Sequence, residues 1–444
     1  MNAVAARSKS TNMRWYLAII MFTISFVSYM DRVNLSVAVP MIMKEFHFTK
    51  IEIGWMQTAF FLGYALMQIP GGMLSERFGH RRVAALGVTW WSAFTALTAF
   101  GSGMFSFIFI RGLFGLGEGP VFPAFSNSIY HWFSKFERGK ASSLMLSGAF
   151  LGPVVGPAIT VSLMLAFGWR AVFLIFGAAG LVIALLWYIF DTQTPRENKW
   201  VNEAELKIIA GPDYVPSAAP VAVVKKAKLA PWSKFMGSTQ FWAIALQYFI
   251  TDYVMYVFLA WLPLYLMEAQ KFSLKSMGIA ASFPWLALFI ATMTTGWVAD
   301  KMVAAGMSKF HARTTFGSAG LIICCVTLYL GAIATVPWQN VMWMSFSLGA
   351  LGLTFNASWA ACLDIGGKYS GSVSGWMNLW GNIGGVLAPV ITAWIATKYS
   401  WRAAIIVTSA SAFIGVLAWF LVRPDKSLVT EEDELPVTAP LTVE

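Results

Sequence analysis

Residues 141–169 read ASSLMLSGAFLGPVVGPAITVSLMLAFGW, a stretch that contains no charged side chain. A helix of about 20 apolar residues is enough to cross roughly 30 Å of hydrocarbon. The strands of a membrane β-barrel instead alternate apolar and polar residues over about ten positions, and this stretch shows no such alternation. It therefore predicts a transmembrane α-helix.

The whole chain follows the same pattern. Of its 444 residues, 58% are hydrophobic and 12% are charged, whereas about a quarter of the residues of an ordinary soluble protein are charged. Twelve apolar runs are predicted to cross the membrane: residues 15–43, 53–74, 83–101, 105–130, 141–167, 170–190, 240–267, 277–298, 314–335, 339–363, 372–396 and 402–422. The predicted fold class is an all-α membrane protein with twelve transmembrane helices.

An internal repeat divides these helices into two sets of six. The matched pairs are Phe48 with Phe272, Thr49 with Ser273, Gly54 with Gly278, Gly72 with Gly296, Glu76 with Asp300, Arg77 with Lys301, Gly139 with Gly371, Gly152 with Gly384, Pro157 with Pro389, Trp169 with Trp401 and Arg170 with Arg402. Because six is even, both halves enter the membrane in the same direction. Parallel halves around a central axis are typical of transporters that work by alternating access.

The domain boundaries follow from the spans and from the composition between them. We predict an N-terminal tail (1–14), a first six-helix half (15–190), a linker (191–239), a second half (240–422) and an acidic tail (423–444). Within the linker, residues 202–210 are predicted to form a short amphipathic helix and the remainder to be flexible. The tails and the linker are predicted to be cytoplasmic.

The positive charges support this topology. Of the 31 Lys and Arg residues, 22 lie in the predicted inner loops and tails and seven in the outer loops. Cytoplasmic loops carry an excess of Lys and Arg, so both termini are predicted to be cytoplasmic. The net charge of +10 is thus explained by membrane topology, and no nucleic-acid partner is expected.

Five ionisable residues fall deep within predicted helices, where charges are costly and usually functional. They are Asp31, Arg32, Arg111, Glu118 and Asp252. The acids outnumber the bases by one, and proton uptake by a carboxylate removes the imbalance. A carboxyl group that exchanges its proton is what a proton-coupled carrier requires, so Asp31 and Glu118 are the candidates for coupling. Helical spacing places Arg111 and Glu118 on one face.

The neighbouring residues of the first helix point in different directions. Tyr29 and Arg32 are three residues apart and share a face, whereas Asp31 points about 100° away from Arg32. We therefore expect Arg32 to bind a substrate carboxylate, for which its planar guanidinium is suited, and Asp31 to face neighbouring helices. The alternative is a static salt bridge that fixes helix packing.

Four stretches of sequence resemble a known family. Residues 71–82, GGMLSERFGHRR, are similar to the Gly-x-x-x-Asp-Arg-x-Gly-Arg-Arg signature of the major facilitator superfamily, with Glu76 in the Asp position. YMDRVNLSVA (29–38), FLGYALMQIPGG (61–72) and RGLFGLGEGPVFPAF (111–125) resemble its anion:cation symporter branch, which includes galactonate, glucarate and hexuronate transporters. The resemblance implies import of an organic carboxylate with a proton, rather than sodium, as coupling ion, and no cofactor or metal.

The resemblance also implies roles for individual residues. It assigns proton coupling to Asp31, Glu118 and Arg111, and substrate contact to Tyr64. In the signature loop, a small Gly72 permits close approach of helices, and charged residues there can pair to lock the inner helix ends. The predicted cytoplasmic gate comprises Gly72, Glu76, Arg77, Arg81, Asp300 and Lys301.

Further polar residues are predicted to line the substrate cavity. Asn356 and Trp359 share one helical face, and Asn378 and Asn382 share another. Amide groups suit a polyhydroxylated acid, although Trp359 could instead pack against lipid and the asparagines could join helices. Asp252 is an added acid that could serve coupling or contact substrate. Sugar-acid members can carry a glutamine where this chain has Ala149, which puts galactonate-like specificity in doubt.

The sequence thus predicts a monomeric transporter of the bacterial inner membrane that imports a sugar acid or dicarboxylate. A drug/proton antiporter remains an alternative, because Gly148, Gly152, Pro153 and Gly156 resemble the antiporter motif of drug exporters. An organophosphate/phosphate exchanger is another, because paired arginines suit phosphate, and a sensor built on a transporter fold is a third. An enzyme is not expected, because the histidines are dispersed and no nucleophile or phosphate-loop pattern is present.

Overall fold

The computed structural model describes residues 10–134, 136–210 and 231–428, apart from the side chains of Asp300 and Lys368. Within these ranges nearly every residue is helical. The helices are α1 (Met13–Phe46), α2 (Lys50–Phe78), α3 (His80–Thr98), α4 (Met104–Glu118), α5 (Val121–Trp132), α6 (Arg138–Phe167), α7 (Trp169–Phe190), α8 (Glu203–Ala210), α9 (Trp232–Met236), α10 (Thr239–Glu268), α11 (Leu274–Ala280), α12 (Ser282–Ala304), α13 (Lys309–Ile333), α14 (Pro337–Gly366), α15 (Ser370–Lys398) and α16 (Trp401–Trp419).

Ten stretches of the described helices are long and apolar enough to cross a membrane. One of them joins α4 to α5 and another joins α11 to α12. The predicted spans 53–74 and 83–101 coincide with α2 and α3, which are not among those ten. The described residues therefore form an all-α architecture with ten candidate membrane spans, and the count of twelve crossings stays a prediction.

The internal repeat reappears at the starts of equivalent helices. Thr49 caps α2: its hydroxyl accepts from the Glu52 N–H at 3.3 Å, and the Glu52 carboxylate accepts from the Thr49 N–H at 2.7 Å. The matched residue, Ser273, caps α11 by accepting from the Ser276 N–H at 3.3 Å. Such caps satisfy N–H groups that have no partner within the helix.

The repeat also reappears as matched contacts. Trp169 Nε1 donates to Glu45 Oε2 at 2.9 Å, and Trp401 Nε1 donates to Glu268 Oε2 at 2.8 Å. Helices α1 and α6 pack together as α10 and α15 do, and α3 and α7 pack as α13 and α16 do. We call α1–α7 the first half and α10–α16 the second half.

The two halves meet closely at one side of the bundle, where α2 begins; we call this the Lys50 side and the opposite one the Phe78 side. Lys50 Nζ lies 3.0 Å from Glu268. Gln57 donates to the Ala260 carbonyl at 3.2 Å, and Thr58 donates to the Val386 carbonyl at 2.7 Å. In each contact the first residue belongs to α2 and its partner to the second half.

The Phe78 side lacks this close packing at its helix starts. A Cβ atom built on Gly139, near the start of α6, or on Gly371, near the start of α15, would meet no atom within 4 Å. On the Lys50 side, a Cβ on Gly54 would lie 3.1 Å from the Pro389 carbonyl oxygen. The halves are therefore packed closely at the Lys50 side, whereas the starts of α6 and α15 face open space at the Phe78 side.

The linker is attached to the first half through α8, which lies within the helix predicted at residues 202–210. The buried Glu205 accepts from the backbone N–H groups of Met13 at 2.9 Å and Arg14 at 3.0 Å, and from Arg14 Nη1 at 3.0 Å. Arg14 also lies 3.1 Å from Glu137. The predicted flexible part of the linker falls mostly at residues 211–230, which lie outside the described residues, as do parts of both tails.

Candidate substrate and proton site

The five ionisable residues selected from the sequence are all buried at mid-depth, each no more than 4% exposed. Four come from the first half: Asp31 and Arg32 from α1, and Arg111 and Glu118 from α4. The fifth, Asp252, comes from α10 of the second half. The charges therefore come from both halves, and α1 and α10, which carry Arg32 and Asp252, pack against each other.

Arg32 and Glu118 form the central ion pair. Arg32 Nη2 and Nε donate to Glu118 Oε1 at 2.7 and 2.9 Å, and the Ser28 hydroxyl donates to the same oxygen. Charge-assisted bonds of this kind are among the strongest hydrogen bonds in proteins. The second carboxylate oxygen, Oε2, has no hydrogen-bond partner among the described residues. Glu118 therefore retains acceptor capacity.

An aromatic cage surrounds the Arg32 guanidinium. Its central carbon lies 4.4 Å from the ring centre of Tyr29, 4.7 Å from that of Tyr64 and 5.0 Å from that of Phe60. These distances are typical of cation–π contacts, which stabilise a cation removed from water. The structure thus brings together Tyr29, Arg32 and Tyr64, three residues predicted to bind substrate.

Asp31 faces away from Arg32, towards α3. Its carboxylate accepts from the Thr95 hydroxyl at 3.4 Å and from the Asn34 amide at 3.4 Å. The side-chain amide oxygen of Asn34, Oδ1, in turn accepts a hydrogen bond from the Thr160 hydroxyl of α6. Bonds of 3.4 Å are long, so the neutral donors around Asp31 hold it less firmly than Arg32 holds Glu118.

Arg111 occupies a different environment from Arg32. Its guanidinium lies 4.4 Å from the ring centre of Phe114 and 5.1 Å from that of Phe60. The buried Nε atom has no hydrogen-bond partner among the described residues. Arg111 therefore offers an unused donor close to the Arg32 cage, with which it shares Phe60.

A break between α4 and α5 lies next to Glu118. Pro120 and Pro123 have no backbone N–H, so they cannot bond the carbonyls of Leu116 and Gly119, four residues earlier. The helix is locally interrupted as a result, and Glu118 is the last residue of α4. Close packing of α4 on α2 fixes the position of Glu118, because a Cβ on Gly115 would lie 2.8 Å from the Tyr64 nitrogen.

The second half contributes Asp252 and two tyrosines. Tyr248 and Tyr256 lie four residues before and after Asp252, so the three side chains share one face of α10. The Tyr248 hydroxyl accepts from Trp359 Nε1 at 3.1 Å, and the Tyr256 ring centre lies 4.3 Å from that of Phe61 in the first half. Trp359 itself is 45% exposed.

The three predicted asparagines have separate partners. Asn356 donates to the Thr292 carbonyl of α12 at 2.6 Å, so its amide joins two helices of the second half. Asn382 donates to the Asn378 carbonyl at 2.8 Å within α15. Asn378 donates to Gln68 Oε1 of the first half at 3.5 Å and is partly exposed. Substrate contact stays a prediction for all three, and Asn378 is the one that bridges the halves.

A family comparison agrees with this architecture. The sequence matches the Major Facilitator Superfamily model at residues 21–389 and 365–443. The chain belongs to the major facilitator superfamily.

Relatives and solved structures in the superfamily are similar over most of the chain. The chloroplastic ascorbate transporter of Arabidopsis thaliana is 31% identical over 92% of this chain and 74% of its own length. The D-galactonate transporter of Escherichia coli O6:H1 is 31% identical over 93% of this chain and 96% of its own length. A bacterial homologue of the human lysosomal transporter Spinster, solved inward-facing and unoccupied, superposes with a TM-score of 0.78 at 17% identity, covering 93% of this chain and 98% of its own.

These findings confirm the family predicted from the sequence. They also confirm that the chain is not an enzyme, because the family and the relatives are those of transporters. The anion:cation branch predicted from α1, α2 and α4 is consistent with relatives named for ascorbate and galactonate transport.

The superfamily signature, residues 71–82, covers the end of α2 and the start of α3. It makes contacts within its own half. Arg81 donates to the Tyr188 carbonyl at 2.9 and 2.7 Å. The Arg77 guanidinium lies 5.2 Å from the ring centre of Phe78. Gly72 lies close to Pro123, because a Cβ atom placed on Gly72 would lie 3.8 Å from the Cβ atom of Pro123.

The remaining members of the predicted gate do not join the halves either. Glu76 is exposed, and Lys301 Nζ lies 3.6 Å from the ring centre of Trp297 in its own half. The Asp300 side chain lies outside the described part. The contacts shown by the described gate side chains lie within one half, in keeping with the open Phe78 side, and a gating role stays a prediction.

Several residues of the site were not predicted from the sequence. Ser28, Phe60 and Thr95 contact the buried charges only because other helices bring them there. Tyr248 and Tyr256 could have been predicted, since they lie one helical turn on either side of Asp252.

A separate buried pair lies at the start of α3. His80 Nε2 is 3.3 Å from Oδ2 of Asp191, which follows α7. Burial raises the pKa of Asp191, against the opposing effect of His80.

Proposed function

We propose that this protein imports a sugar acid or a related organic carboxylate across a membrane together with a proton, by alternating access. The observation that carries the proposal is the Arg32–Glu118 ion pair within the aromatic cage, because protonation of Glu118 allows a substrate carboxylate to take its place beside Arg32. The proposal places the protein in a bacterial inner membrane as a monomer.

The ion pair supports a simple exchange. While Glu118 is ionised, it accepts both Arg32 hydrogen bonds at 2.7 and 2.9 Å. When Glu118 takes up a proton, the ion pair is lost and the guanidinium can bind a substrate carboxylate instead. One carboxylate thereby replaces another beside Arg32, which keeps the buried charge balanced, as a low-dielectric site requires. Substrate binding is then linked to proton uptake.

A second carboxyl group accompanies this exchange. Asp31 is buried among neutral donors, and Arg111 contributes a guanidinium with an unpaired Nε. In the proposed cycle Asp31 binds and releases a proton under the influence of Arg111, while Glu118 responds to the substrate. The coupling ion is a proton rather than sodium, and no metal or cofactor takes part.

The topology belongs to the same proposal. The chain crosses the membrane twelve times, with the Phe78 side and both termini in the cytoplasm, as the positive-inside rule predicts. The observed closure at the Lys50 side is then an inward-open conformation, and the outward-open one arises when one half rotates against the other.

The relatives support the substrate class. Two of them are named for ascorbate and D-galactonate, which are oxygen-rich organic anions. Tyr29 and Tyr64 add hydroxyl groups beside Arg32, and hydroxyl groups both donate and accept hydrogen bonds.

The test is transport by the purified protein in liposomes that contain a pH-sensitive dye. Addition of D-galactonate, D-glucarate or ascorbate should acidify the interior, because substrate enters with protons. Arg32→Gln should abolish the signal, because the guanidinium is lost. Arg402→Gln is the matched control, since Arg402 is exposed at the start of α16, and it should transport as the unaltered protein does.

Other outcomes would replace the proposal. Extrusion of cationic dyes without any response to organic acids would indicate a drug/proton antiporter. Exchange of a sugar phosphate for phosphate, with no pH change inside the liposomes, would indicate an organophosphate exchanger. Uptake that persists unchanged in Arg32→Gln would show that the cage does not bind the substrate.

A further inference from the structure

Asp252 is a buried carboxylate on α10 of the second half. It is 4% exposed, and it forms no hydrogen bond or ion pair with any residue in the ranges that the structure describes. Glu118 and Asp31, by contrast, both accept hydrogen bonds from neighbouring side chains. Buried polar groups are nearly always hydrogen-bonded, and an exception calls for an explanation.

The packing around Asp252 provides room for its carboxylate rather than a donor. Gly381 of α15 lies directly against it: a Cβ atom on Gly381 would collide with Asp252 Oδ2 and approach the Tyr248 ring to 2.7 Å. The absence of a side chain at Gly381 therefore leaves the room that the Asp252 carboxylate occupies.

The first half faces this carboxylate with a helix that carries a cation. Helix α10, which carries Asp252, packs against α1, which carries Arg32 and Tyr29. The first half thus presents guanidinium and hydroxyl donors. The second half presents a carboxylate, which accepts hydrogen bonds but donates none when it is ionised. A ligand between the halves needs an anionic group at one end and hydrogen-bond donors at the other.

The chemistry of the two halves discriminates among anions. A carboxylate that carries hydroxyl groups can bind Arg32 through its anionic group and donate its hydroxyls to Asp252. A carboxylate of the same length without hydroxyls leaves Asp252 unsatisfied, which is costly in a buried site. An anion with a second charge near Asp252 and no donor would also be repelled.

We propose that Asp252 is the specificity-determining residue of the second half, which selects polyhydroxylated carboxylates by accepting hydrogen bonds from their hydroxyl groups. This inference rests on the proposed function and deepens it, because it names what distinguishes the substrate from other organic anions. Tyr248 and Tyr256 flank the carboxylate, and Gly381 leaves the space that it occupies.

The experiment compares two dicarboxylates of six carbons: D-glucarate, which carries hydroxyls, and adipate, which does not. Affinity is measured by ligand-induced thermal stabilisation of the purified full chain. The unaltered protein should bind glucarate at least tenfold more tightly than adipate. Asp252→Asn should lower that ratio at least tenfold, because a neutral amide accepts hydrogen bonds more weakly than a carboxylate.

A second variant keeps the carboxylate but moves it. Gly381→Ala should also reduce the glucarate-to-adipate ratio, since the added methyl group displaces the Asp252 side chain. Asp425→Asn removes an exposed acid that follows α16 in the C-terminal tail and should leave the ratio unchanged. If Asp252→Asn does not fold, Gly381→Ala measures the same ratio without a change of charge.

The outcomes separate the inference from the proposed function. If glucarate drives acidification of liposomes but its preference over adipate is unchanged in both variants, the inference is wrong and the proposed function stands. Loss of acidification in Asp252→Asn at an unchanged ratio would assign Asp252 to proton coupling and overturn the inference. If the unaltered protein neither binds nor transports any carboxylate, both fail.

Discussion

At the scale of single residues, the partner of Arg32 decides the chemistry of the site. The adjacent Asp31 points to α3 and accepts from Thr95, whereas Glu118 of α4 accepts two hydrogen bonds from the Arg32 guanidinium. The Ser28 hydroxyl donates to the same carboxylate oxygen. Glu118 is therefore the group whose protonation would release Arg32.

This arrangement leads to a prediction for Glu118→Gln. The amide imitates the protonated carboxyl group, so Arg32 is always available to substrate, but no proton can be released. Exchange of radiolabelled for unlabelled substrate across liposomes should continue at a rate within about tenfold of the original, whereas proton-driven accumulation should be lost.

The control for this variant is Glu197→Gln, which alters an exposed acid of the linker and should accumulate substrate. Accumulation by Glu118→Gln at the original level would show that coupling does not pass through this carboxyl group. Loss of exchange as well as accumulation would show that Glu118 binds substrate directly.

At the scale of helices, α4 is held against α2 by residues without side chains. A Cβ on Gly63 would lie 3.1 Å from the Leu116 nitrogen, and one on Gly115 would lie 2.8 Å from the Tyr64 nitrogen. Both distances are shorter than ordinary contacts, so larger residues would push the helices apart. Small residues at such crossings are typical of membrane helix packing.

Gly115→Ala should therefore weaken both folding and binding. Overpacking of this kind costs about 1–3 kcal/mol, and the displacement would separate Tyr64 from Glu118 around Arg32. We expect a lower melting temperature and a weaker substrate affinity, measured by tryptophan fluorescence with and without ligand. Gly139→Ala is the control, because open space surrounds it and alanine favours the helix by up to about 1 kcal/mol.

The linker helix α8 supplies a cap to α1 from a distant part of the chain. Burial opposes ionisation of Glu205, but its hydrogen bonds from the Thr11 hydroxyl, the Arg14 and Met13 N–H groups and the Arg14 side chain outweigh burial and lower its pKa. A carboxylate at a helix N-terminus is also favoured by the helix dipole. The linker is therefore bound to the first half.

Glu205→Gln should destabilise the protein by about 1–3 kcal/mol at neutral pH, because charged hydrogen bonds are replaced by weaker ones. A carboxylate with a lowered pKa contributes its stability above the ordinary glutamate value of about 4.3 and loses it as the pH falls through the pKa of the folded state. The difference in melting temperature between the two proteins should thus be constant from pH 7 to about 4.3 and shrink below that. A difference that grows on acidification would contradict this account.

At the scale of the whole molecule, the halves pack closely on the Lys50 side, whereas the starts of α6 and α15 face open space on the Phe78 side. Lys50 and Glu268 form an ion pair of 3.0 Å across the halves. Further along α2, the ring centres of Phe61 and Tyr256 lie 4.3 Å apart. Asp252 lies one turn beyond Tyr256. The site is therefore reached from the Phe78 side.

Thiol labelling tests this conformation. In a chain whose three cysteines are replaced by alanine, Gly371→Cys should react with a membrane-impermeant maleimide from the cytoplasmic side, because its Cβ meets open space. Gln57→Cys, buried between the halves, should react at least tenfold more slowly from the opposite side. Equal rates at both positions would contradict closure at the Lys50 side, and labelling of Gly371→Cys only from outside would reverse the topology.

The sequence by itself determined the helices, the repeat and the buried charges. Local hydrophobicity and length are enough to predict membrane-crossing helices, and the repeat paired Thr49 with Ser273 and Trp169 with Trp401, which occupy equivalent places in the structure. Burial of the five charged residues followed from their places within apolar runs, because each run must lie in the membrane.

The tertiary structure alone decided which groups meet. Helical spacing fixes the direction of a side chain on its own helix but not the rotation of the neighbouring helix, so the sequence could not pair Arg32 with Glu118 rather than Asp31, or show that Asn356 joins α12. The cap that Glu205 supplies to α1 likewise depends on a contact between residues far apart in the chain. Pairing between helices is set by the packing of the whole bundle, so a local sequence pattern does not predict it.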